Sequence, residues 1–219
     1  MKEAAINPLP PVVWALALPM IAMEVVLALG ASGLLSNPMA EGWRLAALER
    51  FGFFPGILRA MVETGDWPLR HAIRILTYPF VHVSVTQAVF DTVILLALGK
   101  VVAEAFRPWA LLAVFFGAAI AGAAAQMLIP GMEVPLVGGF PAIHGLVGAF
   151  TFILWMRMAD RRAFSLIAML LGVQLVFGLA FGGAWALVAN LAGFVAGFAL
   201  SFVVSPGGWA RVMARIRQR

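Results

Sequence analysis

Six stretches of this chain are each long and apolar enough to cross a bilayer, and that constrains the fold more than any motif does. A spanning helix needs about 20 mostly apolar residues. The windows run over residues 12–35, 75–99, 108–129, 140–158, 163–181 and 184–204. Pro11 and Pro108 stand where helices begin, a position at which a missing backbone donor costs nothing. The runs are too long for barrel strands and show no period-two alternation, which excludes a transmembrane β-barrel. The expected fold is an all-α membrane protein: one six-span domain over residues 1–219, with residues 205–219 as a basic tail.

Composition narrows the function classes. The chain is 63% hydrophobic and 11% charged, whereas soluble domains hold about 45–50% apolar and about 25% charged residues. It has no cysteine, so disulfides, zinc–thiolate sites, thiol catalysis and c-type haem attachment are closed to it. The net charge of +5 reports topology and not a nucleic-acid partner. With an even number of spans both termini share a side, and that side carries ten of the 15 Lys and Arg. The other five (Arg44, Arg50, Arg59, Arg70 and Arg74) all fall in one long connection. Both termini are therefore expected in the cytoplasm of a bacterial-type inner membrane, with Arg211 to Arg219 along anionic headgroups. Lys2 and the apolar run behind it could suggest a signal peptide. Small residues follow around Gly30–Gly33, but the run is long, carries Glu24 and has no clear small-x-small cleavage site, so a retained first span is expected.

The connection over residues 36–71 mixes Trp43, Phe51, Phe53, Phe54, Ile57 and Trp67 with charges. It is too apolar for a solvated loop and too polar to span. Amphipathic elements resting in the membrane interface are expected there.

Inside the spans, Glu24, His82, Gln87, Asp91, Gln126, His144, Gln174 and Asn190 stand out. Each is expensive in lipid and is expected to face the bundle interior. The simplest role for any of them is to tie helices together by hydrogen bonds. Gln87 and Asp91 are four apart and share a helical face. Gly138 and Gly139 lead into Phe140 and Pro141, followed by small residues at Ala142, Gly145 and Gly148. Asn190 precedes a G-x-x-x-G pair, Gly193 and Gly197. Two small-residue faces predict a close crossing of the fourth and sixth spans.

These windows, in this order and behind a long outward first connection, resemble the rhomboid family of intramembrane serine proteases over roughly residues 51–204. That family's second span opens with Arg-x-x-Thr-x-x-Phe-x-His, here Arg74, Thr77, Phe80 and His82. The resemblance implies a serine nucleophile in Gly-x-Ser-Gly at the fourth span. It also implies a general-base histidine on the sixth, and a His-x4-His-x3-Asn set on the second that helps stabilise the oxyanion. This chain departs at each of these points. Gly138 matches the first glycine, but the serine falls on Phe140 and the next glycine on Pro141, with Ala142, Ile143 and Gly145 still aligned. The base falls on Asn190, with Gly193 and Gly197 aligned behind it. His82 is kept, while Gln87 and Asp91 replace the second His and the Asn.

A phenyl ring is no nucleophile, and an amide cannot take a proton near neutral pH. A carboxylate at position 91 repels a developing oxyanion, and Pro141 supplies no N–H. No residue is therefore expected to be catalytic. Ser84, Ser165 and Ser201 do not rescue the chemistry. Ser84 lies two residues from His82, a spacing that does not face on a helix, and the other two lie toward the cytoplasmic ends of their spans. His144, one turn beyond Phe140 on the same face, is expected to meet Asn190 with Asp91, Gln87 and His82 nearby. Together they form a neutral polar plug in the former active site. Two histidines and a carboxylate can hold a metal, but His82 is expected nearer the surface than His144, and neither metal nor cofactor is expected.

The resemblance then implies a pseudoprotease that, like the iRhoms and derlins, binds transmembrane segments of clients without cleaving them, by lateral recognition near the second and fifth spans. The alternatives are an active intramembrane serine endopeptidase and a structural subunit of a larger membrane complex. A transporter is weaker, since no inverted repeat or interrupted helix pair is evident. The expected partners are the lipid bilayer and other transmembrane proteins, with no nucleic acid.

Overall fold

The structure is a computed structural model and describes residues 8–34, 38–158, 161–165, 167–169, 171–173, 176 and 186–217. Local chemistry sets where its helices start. Helix α1 (Pro11–Ala31) takes Pro11 at its first position, where the ring removes no hydrogen bond. The connection that follows folds into α2 (Trp43–Phe51), α3 (Pro55–Thr64) and two short helices, α4 (Leu69–Ala72) and α5 (Arg74–Thr77). Helix α6 (Val85–Ala105) opens on an N-cap: the Ser84 hydroxyl accepts from Gln87 N at 3.2 Å. Helix α7 (Pro108–Met127) again begins on proline. Helices α8 (Phe140–Met158), α9 (Ala186–Val204) and α10 (Gly208–Arg217) complete the described order.

Four of these helices, α1, α7, α8 and α9, are each long and apolar enough to cross a membrane. A bent pair, Leu69–Phe80 and Val85–Ala105, meets at 80° and makes a fifth candidate if it counts as one span. This corrects the expectation of one uninterrupted second span over 75–99. A 3-10 turn over Tyr78–Phe80 runs into extended Val81 (φ −120°, ψ 130°), and the helix proper starts only at Ser84 and continues to Ala105. Pro79 lacks a donor for helical continuation. Tyr78, Pro79, Phe80 and Val81 are as apolar as the helix behind them, so hydropathy passes over the break. The expected fifth span, 163–181, lies largely outside the described residues, as does Gln174.

Helices α7, α8 and α9 pack on one another, while α1 packs on α6 and α6 on α8. Lipid tails are as apolar as leucine, so close fit and not water exclusion holds such helices together. The fit is close where α8 and α9 cross. A methyl group on Gly197 would collide with Gly145 O, one on Gly193 with Pro141 O, and one on Gly148 with Phe194 O. Ala142 is fully buried in the same face of α8.

The first connection packs on the bundle through buried Ala47, Leu58 and Met61. Phe53 and Leu136 exchange two backbone hydrogen bonds of 3.0 and 2.8 Å. Arg59 on α3 donates to Met127 O at 3.1 Å and Met132 O at 2.7 Å and pairs with Glu133. These bonds fasten the connection to the segment that leads into α8.

Candidate functional site

The break ahead of α6 leaves several backbone groups without helical partners, and the polar side chains of α6 take them up. Gln87 spans the break: its Oε1 accepts from Val83 N at 3.1 Å, and its Nε2 donates to Val137 O at 3.4 Å. Gly138 N donates to Tyr78 O at 3.0 Å. Gly138 has φ +85°, a conformation open to glycine and strained for other residues, and a side chain there would collide with the Gln87 amide. The start of α8 is thereby pressed onto α6.

Asp91 lies one turn further along α6, fully buried, and accepts from Gly139 N at 2.7 Å. His82 Nε2 is 3.2 Å from the same carboxylate oxygen, off the line of a ring hydrogen bond. Both ring nitrogens of His82, and Asp91 Oδ1, have no hydrogen-bond partner among the described residues. Both histidines are buried, His82 fully and His144 to within 3%, and Arg44 on α2 donates to the backbone O of His82 at 2.9 Å.

The other expected residues lie on α8 and α9. Phe140 is half-buried at the first position of α8. His144 is buried, with Nδ1 2.8 Å from Phe140 O, and lies within electrostatic reach of Asp91. Asn190 is buried on α9, one turn ahead of Gly193, which presses on Pro141. Two of the candidate hydroxyls are committed elsewhere: Ser84 caps α6, and Ser201 donates to Gly197 O at 2.7 Å. Among the described residues no group of three or more His, Asp or Glu could hold a metal ion.

Two functional contacts escape a reading of the sequence. Glu24 on α1 is held by the Arg44 guanidinium through two bonds, 2.5 and 3.1 Å. In the sequence Arg44 is one of five arginines of the first connection, yet a lone carboxylate in a span demands a cation from somewhere. Tyr78, the chain's single tyrosine, is fully buried and donates from its hydroxyl to Ala119 O at 2.8 Å. A tyrosine within an apolar window needs such a partner, which was the available signal.

Residues 69–207 match the family model of the rhomboid domain. The chain belongs to the rhomboid family. No curated protein matches the sequence. As a rhomboid-family protein with these apolar helices, it is a multi-pass membrane protein that sits in a lipid bilayer. The rhomboid match begins just ahead of Arg74 and contains every residue of the site except Glu24 and Arg44, which reach in from outside it. Its opening motif has a structural task here. Arg74 donates to Gly52 O at 3.3 Å and lies over the Phe54 ring at 5.3 Å, while Thr77 Oγ1 donates to Phe51 O at 3.2 Å. Both residues fasten the first connection to the bundle.

Proposed function

We propose that this rhomboid-family protein is a pseudoprotease that engages transmembrane segments of other membrane proteins and leaves them intact. The observation that carries this is the hydrogen bond from Gly139 N to Asp91. Acyl transfer needs backbone donors free to meet negative charge as it develops. Here the donor just ahead of the nucleophile position is already bound to a fixed carboxylate. Phe140 brings no hydroxyl, Pro141 brings no N–H, and Asn190 brings no base. The same region serves well as a plug: Asp91 and Gln87 tie α6 to the start of α8, and His82, His144 and Asn190 are buried polar groups that would add to it. The Lys and Arg distribution supports termini in the cytoplasm of a bacterial-type inner membrane.

The test has two parts, labelling of the purified, reconstituted protein and crosslinking in the native membrane. A fluorophosphonate probe is expected to label no residue. A photo-crosslinking residue at Phe90, which is exposed on α6, is expected to capture membrane proteins at full length. Stoichiometric labelling of a serine, or recovery of captured proteins as fragments, would overturn the reading in favour of an endopeptidase.

A further inference from the structure

A groove of about 320 Å³ runs between α1 and α6 on the outside of the bundle. Ile21, Val25 and Ala28 form one wall and Val85, Val89 and Val93 the other, with Ala88 buried between them. Because the chain is a multi-pass membrane protein, this groove opens onto bilayer hydrocarbon. We infer that it is a binding site for a single phospholipid acyl chain, in the half of the bilayer that adjoins the first connection.

Three observations select this occupant. The first is charge. Glu24 and Thr92 are the polar side chains that touch the groove. Both carboxylate oxygens of Glu24 are taken by Arg44, which also bonds His82 O. The wall therefore offers no unmet charge to a cationic or anionic group, and an apolar surface of this kind takes an apolar guest. The second is length. From Ile21 to Ala28 the helix rises by about 10 Å, far short of the ~30 Å hydrocarbon core that a docked transmembrane helix would follow. The third is wall shape. Helices approach each other closely over glycine, alanine and serine, as α8 and α9 do here. This groove is walled mainly by β-branched residues, and Val25, Val89 and Val93 stand out from the surface. They keep a second backbone away but leave room for a thin, flexible chain.

The site lies outside the polar plug. Ala88 and Thr92 face the groove, while Asp91 lies buried toward α8. A chain seated here would wedge α1 against α6 beside the Glu24–Arg44 pair.

The experiment uses the whole protein in phosphatidylcholine vesicles doped with a phosphatidylcholine whose acyl chain carries a diazirine. Illumination is expected to label residues 21–28 and 85–93 several-fold above the exposed faces of α7 and α9, such as Ile120 and Val195. Ala88→Phe, which fills the groove, is expected to bring that labelling down to the level of those faces. If Ala88→Phe does not fold, Val89→Trp at the exposed rim serves in its place. Equal labelling of all exposed faces would overturn the site as ordinary lipid contact. A diazirine amino acid at Val89 that joins to a second protein in preference to lipid would overturn it in favour of a docked helix.

Discussion

A carboxylate taken into a membrane has to be matched, and two of them in this chain are matched in different ways. Glu24 receives a guanidinium through two bonds, geometry that suits the planar fork of arginine. Asp91 receives a backbone N–H and the flank of a histidine. The difference has a measurable consequence. Arg44→Ala leaves Glu24 buried with no cation and removes the bond to His82 O. It is expected to destabilise the protein by about 3 kcal/mol, the lower end for a broken buried pair, because the Arg44 side chain keeps 19% exposure. Replacing both residues by leucine is expected to recover part of that loss, since an apolar pair carries no desolvation cost. Thermal melts in mild detergent measure both. A single variant as stable as the parent would show that the pair holds nothing in place. Phe140, Asn190, Gln87 and Asp91 were legible one by one in the sequence, because a motif names positions. Arg44 was not, because its partner stands 20 residues away on another element.

At the scale of elements, prolines and small residues carried most of the information. Pro11 and Pro108 marked true helix starts, and α8 runs over the expected 140–158. The break at Val81–Ser84 was invisible for a physical reason. Hydropathy adds up transfer energies and does not register whether a backbone donor has a helical acceptor. The crossing of α8 and α9 is the element-level feature most open to test. Any side chain on Gly197 meets backbone on the facing helix and not a flexible side-chain end, so nothing nearby can swing aside. Gly197→Ala is expected to cost about 2 kcal/mol through overpacking. Gly172→Ala, with open space around the glycine, is expected to change stability by less than about 0.5 kcal/mol. Unfolding titrations of the two variants side by side check this, and equal stabilities would mean the crossing relaxes without cost.

For the whole molecule, charge placement predicts an orientation, and the sequence makes it easy to measure. The chain has no cysteine, so one introduced thiol reports its own side without background. Thr64→Cys on the first connection is expected to react with a membrane-impermeant maleimide in intact cells. Arg107→Cys, between α6 and α7, is expected to react only after lysis. The reverse pattern would invert the topology and place the first connection in the cytoplasm.

The sequence by itself determined the solvent of this protein, the starts of several of its helices and the presence of Phe140 and Asn190 where the resemblance places a serine and a histidine. These are properties of single residues or of windows about 20 residues long. Only the tertiary structure decided which groups the buried polar side chains meet. Arg44 reaches Glu24 across 20 residues and His82 across 38, and Asp91 reaches Gly139 across 48. Each bond joins groups from elements that hydropathy treats separately. Each forms because a polar group withdrawn from water must find its partner within the fold, wherever along the chain that partner stands.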